Sequence, residues 1–140
     1  MVELALILPL LLLLTFITTE FGRAMFEYNS VTKSTRDAVR YLSSKTPNTQ
    51  VTEARNLMVF GNLDGTGPHL VRGLTLANVP AATCCTWVFA GTNPVINTVT
   101  VRVTNYSYQP LFSSVFGIAF GGVNGDITFS TITATMRAGT

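Results

Sequence analysis

Hydrophobic and polar positions divide the chain into stretches with different periods. From Leu4 to Ile17 only Thr15 is neither apolar nor proline, and Thr18 and Thr19 extend the run as weakly polar residues. A helix of about 17–20 such residues covers roughly 25–30 Å, enough to cross the hydrocarbon of a bilayer. Pro9 lies inside the run, where it removes one backbone hydrogen bond and is expected to kink or loosen the helix, a change that membrane helices tolerate. Beyond Glu20 the apolar residues Phe21, Ala24, Met25, Tyr28, Val31, Ala38, Val39 and Leu42 recur at three- and four-residue intervals, interrupted by Thr35. Arg23 with Glu27 and Lys33 with Asp37 form opposite-charge pairs at helical spacing, which this stripe assigns to the other, outward side. Gly22 is a weak point, worth about 1 kcal/mol relative to alanine. The pattern predicts one long helix ending near Ser43: an anchor over 1–20, apolar all round, and an amphipathic continuation over 21–44.

Pro47 cannot continue that helix, and Thr46 before it is pushed toward extended backbone. A short second helix is expected over 49–60, with Thr49 as N-cap, Val51, Ala54, Leu57 and Met58 facing inward, and Gly61 as the stop. After a Gly-rich loop the period shortens to two. In "VINTVTVRVTNYSY", Val99, Val101 and Val103 alternate with Thr98, Thr100, Arg102 and Thr104, as in a half-buried strand. "ITFSTITATM" is expected to be a second long strand, with "TCCTWVF" and "HLVRGLTL" as shorter ones and "GGVNGD" as a turn. The fold class is α+β: a long helix packed on a small antiparallel sheet, with residues 45–140 as an outward-facing globular domain.

Composition sharpens this picture. Only 11% of the 140 residues are charged, against about a quarter in ordinary soluble domains. The net charge of +2 is small and dispersed, and it gives no case for a nucleic-acid partner. From Leu57 onward the chain is nearly free of charge and rich in Thr, Asn, Ser and Gly, which suits an extracellular β-rich surface. Arg23, Lys33, Arg36 and Arg40 all follow the apolar run, and none precedes it. The positive-inside rule would then hold the domain in the cytoplasm. A basic leader removed from the mature chain would resolve that conflict. A signal peptide fits poorly, because the run has no basic flank before it and no A-x-A site before Glu20.

Catalytic constellations are absent from the sequence, so no enzyme, metal site or cofactor is expected. His69 sits alone in a Gly/Pro loop, and there is no P-loop, zinc spacing or G-x-S-x-G. Asp64 and Asp126 lack EF-hand spacing. Asn105-Tyr106-Ser107 matches a glycosylation acceptor. Phe16, Phe21, Phe26 and Tyr28 are assigned to packing in a helix bundle. Two readings of the adjacent Cys84 and Cys85 stay open: a disulfide, vicinal or to another chain, or reduced packing cysteines. Glu3 is the outlier. An ionised carboxylate costs roughly 2.5–3.5 kcal/mol near the middle of a membrane helix. Close to the chain's end it can snorkel to the interface or meet a partner.

The stretch "VELALILPLLLLLTFITTEFGRAMFEYNSVTKSTRDAVRYLS" resembles the N-terminal region of TadE-like pilins, relatives of type IV pilins linked to tight-adherence secretion. Members show V-E-F-A-L-V-L-P, an apolar run, E-F-G-R and a stretch like A-R-D-A-A-R-Y. "EARNLMVFGN", "YSYQPLF" and "ITFSTITATMR" extend the likeness. Leu4 stands where members commonly carry Phe, and Glu3 lies closer to the start than the glutamate of mature pilins. The resemblance implies a prepilin cut by a prepilin peptidase and held in the inner membrane by its helix. The pilus assembly machinery would then move it into an extracellular pilus of identical subunits on a prokaryotic cell surface, serving attachment or a related task. It also implies that Glu3 neutralises a neighbouring subunit's N-terminal amine, which makes Met1, Glu3 and Pro9 the assembly residues. A minor pilin or pseudopilin that primes or caps assembly, and a membrane-anchored binding domain that never polymerises, are the alternatives.

Overall fold

Helix α1 runs from Val2 to Ser43, 42 residues, about 63 Å at 1.5 Å per residue. The computed structural model describes residues 2–92, 95–112, 114–115, 118–119 and 125–139. Met1 and the Gly121–Asn124 part of the expected turn lie outside them. Helical structure continues through Pro9 without interruption. The two halves of α1 have different surroundings. Leu6, Leu10 and Leu14 are 74%, 69% and 63% exposed, whereas Val31, Ala38 and Leu42 are fully buried. Thr15, Thr18 and Thr19 turn their hydroxyls back onto the carbonyls of Leu12, Leu14 and Thr15 at 2.8–3.0 Å, so their donors are satisfied within the helix.

The buried face differs from the expected stripe at its N-terminal end. It runs through Glu20, Glu27, Val31, Ser34, Thr35, Ala38, Val39 and Leu42, while Phe21, Met25 and Phe26 face outward. Thr35 therefore belongs to the stripe. It is fully buried and donates to the Val31 carbonyl at 2.7 Å, which removes the cost of burying its hydroxyl.

Helix α2, Val51–Phe60, follows a turn. Its N-cap is Gln50 rather than Thr49, whose hydroxyl donates to the Thr46 carbonyl instead. Gly61 closes it in a left-handed conformation (φ 76°), with its N–H on the Leu57 carbonyl. Ala54, Met58 and Val59 are buried, and Val51 and Leu57 pack at the margin of the core.

The main sheet has the order β1-β2-β7, all antiparallel. Its strands are β1 (Cys85–Ala90), β2 (Ile96–Val103) and β7 (Ile132–Arg137). Val99, Val101 and Val103 point into the core as expected, and Thr100 meets Thr135 across the other face at 2.8 Å. Two expectations change. "HLVRGLTL" forms turns and a 3-10 segment, Leu76–Asn78, because Gly73 adopts φ 79° and Val71 and Leu74 fold inward as plugs. "ITFSTITATM" breaks after two residues: β6 (Ile127–Thr128) pairs with β3 (Ser107–Tyr108), Phe129 turns inward against Tyr106, and β7 starts three residues later. A minimal pair, β4 (Ser114–Val115) and β5 (Ile118–Ala119), lies between them.

Candidate functional site at the helix and domain junction

Leaving the main sheet, the chain passes Asn105 in a left-handed turn (φ 54°) and runs back along α1 toward its N-terminus. Tyr106, just before β3, and Tyr108 within it flank Ser107, both turned to the helix. Both are almost completely buried against the helix. The Tyr106 hydroxyl donates to Glu27 Oε2 at 2.7 Å, and the Tyr108 hydroxyl to Glu20 Oε2 at 2.5 Å. The Leu111 N–H adds a third donor, 3.3 Å from Glu20 Oε1. Arg23 sits between the carboxylates, 3.3 Å from Glu20 and 3.6 Å from Glu27, with its guanidinium 5.7 Å from the Tyr108 ring centre.

Glu20 and Glu27 are only 7% and 8% exposed. Two carboxylates so placed would be costly alone; three donors and one cation satisfy them. The tyrosines respond in turn. Burial first, then the hydrogen bond to Glu27 and its charge, push the Tyr106 hydroxyl well above its usual range. Tyr108 is raised in the same way by burial and Glu20, with Arg23 pulling against the shift. A neutral phenol that resists ionisation and bonds a buried carboxylate is a structural clamp.

The sequence misplaces this cluster, because Arg23 and Glu27 are assigned there to the outward side. A signal was nonetheless present. Glu20, Arg23 and Glu27 lie at i, i+3 and i+7, in phase with Val31, Ala38 and Leu42.

The other candidate residues are spread over the molecule. Glu3 is exposed in the first turn of α1, six residues before Pro9 and far from the clamp. Cys84 and Cys85 are joined in a vicinal disulfide at the start of β1, buried in the core. Asn105 is exposed, and its carbonyl accepts the Asn78 side-chain amide at 2.9 Å. His69 packs edge-on against Phe60. Phe16 packs on Phe112 and Tyr28 on Phe129. These two helix aromatics therefore meet the chain's own domain, while Phe21 and Phe26 remain open.

Helix α1 is long and apolar enough to cross a membrane, and only 6% of its most apolar window is buried in the molecule. Comparison with known proteins places a likeness on this same element: residues 1–40 match the family of TadE-like proteins. No curated protein and no solved structure matches the chain.

Proposed function

From the TadE-like character of residues 1–40, we propose that the protein is a pilin-like structural subunit. Its N-terminal helix holds it in a membrane and then packs among identical helices in a type IV-like pilus, with the domain outward. The observation that carries this reading is the stretch of α1 before Thr15, apolar except for Glu3 and exposed at Leu6, Leu10 and Leu14, projecting from a domain with its own core. Such a surface needs an apolar environment, which either lipid or a bundle of like helices supplies. The internally bonded threonines fit both settings.

Glu3 then acts at a subunit contact. Among apolar helices, a carboxylate paired with a neighbour's ammonium fixes axial register more than it adds stability, because desolvating both charges offsets most of their attraction. The test is cryo-electron microscopy of filaments sheared from cells carrying the chain or its Glu3→Ala variant. Filaments built mainly of this chain, and lost in the variant, are the expected result. Filaments unchanged by the substitution would remove the charge-pair role. Filaments in which the chain is a trace component would point to a minor pilin, and no filament at all to a membrane-anchored domain.

A further inference from the structure

Past β3 the chain returns beside the last turns of the apolar helix. Phe112 packs on Phe16 with ring centres 5.2 Å apart, and the Leu111 N–H reaches Glu20. Both loop residues thus sit level with residues 16–20, at the end of the segment able to span a membrane. Phe16 lies roughly 5 Å inside that end, counted back from Thr19 at 1.5 Å per residue. Yet Leu111 is 58% and Phe112 45% exposed. Phe21 and Ile127 continue the surface, around a largely apolar cavity of about 150 Å³ that Ile17, Pro110 and the mutually bonded Glu20 and Tyr108 also line.

Charge is sparse at this collar: Asp126, beside Ile127, accepts a hydrogen bond from Ser107 at 2.6 Å. From Val103 to Gly125 the sequence has no charged residue, and Glu20 is turned inward onto Tyr108. What remains is apolar area with aromatic rings, the chemistry of the headgroup–acyl boundary, where aromatic belts sit and amphipathic elements bury themselves by about 5–10 Å.

We propose that Leu111, Phe112, Phe21 and Ile127 dip into the interface of the bilayer that α1 crosses, giving the domain a second membrane contact besides the helix. The proposal rests on the membrane-spanning role of α1. Lipid is the occupant because the collar is continuous with the helix's own apolar surface and lies at the depth where that surface ends. A residue touching Phe16 cannot stand in bulk water while residues 2–19 fill the hydrocarbon. The opposite end of the domain gives a contrast. Phe89 pairs with Asn97, whose carbonyl accepts the Ala138 N–H, and Gly139 bonds to Ser43. That end lies roughly 40 Å farther along α1, at 1.5 Å per residue, and Phe89 is also exposed.

The test places one tryptophan at a time in the full chain, after Trp87→Phe. Phe112→Trp, Leu10→Trp and Phe89→Trp are each reconstituted into vesicles of phosphatidylcholine and phosphatidylglycerol, with circular dichroism as the check on folding. Emission is then quenched with phospholipids brominated at shallow or deep acyl positions. The expected result is strong shallow quenching and a blue shift for Phe112→Trp, quenching from deeper bromines for Leu10→Trp, and none for Phe89→Trp. Quenching at Leu10→Trp without any at Phe112→Trp would overturn the collar and leave the anchor intact. A blue shift at Phe112→Trp without quenching would overturn it in favour of a second copy covering the site. Equal quenching at Phe89→Trp would overturn it by showing the domain lying flat. No quenching at Leu10→Trp would remove the anchor, and the collar with it.

Discussion

Tyr106 donates its hydroxyl to Glu27 at 2.7 Å, joining the residue just before β3 to a helix residue 79 positions earlier. With Tyr108 on Glu20 it makes two fixed points, one helical heptad apart on α1 and two residues apart in the segment that leads into β3. Apolar faces can slide against one another, but a buried carboxylate held by specific donors cannot shift without losing them. The pair of bonds therefore sets both the axial position and the rotation of the domain on its helix. The proposed role, in which one helix face meets neighbours and another its own domain, would need that rotation fixed.

Tyr106→Phe removes one donor and leaves Glu27 buried with Arg23 alone. Hydrogen bonds to charged groups contribute about 1.5–3 kcal/mol, and the orphaned acceptor keeps its desolvation cost. The expected outcome is a loss of stability in that range for the full chain in detergent micelles, followed by denaturant titration of Trp87 emission. A cost below measurement error would mean that Tyr106 acts only as packing against Phe129.

Alkaline pH probes the same contacts. Both phenols are held protonated above their ordinary value of 10.0. In the unfolded chain they ionise near that value, so their contribution is complete below about pH 10 and falls as the pH rises toward the folded-state pKa. Phenolate absorbance should show two tyrosines that titrate only as the chain unfolds, and Tyr106→Phe/Tyr108→Phe should remove both late titrations. If the wild-type chain shows no late titration, the clamp is open in solution.

Much of this architecture is legible in the sequence. The extent of α1, the Gly61 stop and the alternating valines of β2 follow from period and turn chemistry alone. The clamp is misplaced for a physical reason. The apolar positions alone run the stripe through Phe21 and Met25, whereas the helical phase of Val31, Ala38 and Leu42 runs back to Glu27 and Glu20. Charged residues in phase with a core are usually paired, and the partners here are two tyrosines from far along the chain. The break between β6 and β7 was hidden for a similar reason, since strand propensity continues through Phe129 while its ring turns toward Tyr28 and Tyr106.

Two glycines should respond oppositely to alanine. At Gly22 an added Cβ meets nothing within 4 Å, and the backbone is helical. Gly22→Ala is therefore expected to stabilise the protein by about 1 kcal/mol. Gly61 has φ +76°, and its Cβ would lie 3.0 Å from a Leu70 methyl. Gly61→Ala should cost at least about 1–2 kcal/mol through left-handed strain. Thermal melts of both variants in micelles check the pair. Should Gly22→Ala stabilise the protein yet abolish the proposed filaments, the open space at Gly22 would be a neighbour's seat.

Arg23 offers the sharpest test of whether the clamp is electrostatic. Among the described residues it supplies the cluster's only cation, and its side chain is 30% exposed against 8% and 10% for the two carboxylates. Arg23→Met keeps the length of the stem but leaves two ionised groups facing each other with hydroxyl and amide donors alone. Losing one partner of a fully buried pair costs about 3–5 kcal/mol, and the partial exposure of Arg23 places the expected loss below that. Adding Glu20→Gln and Glu27→Gln removes the uncompensated charges while keeping an acceptor for each tyrosine. The triple variant should therefore regain most of the stability lost by Arg23→Met, as measured by denaturant midpoint at neutral pH. If it stays as unstable as the single variant, Arg23 matters through its packing on Tyr108 and not through its charge.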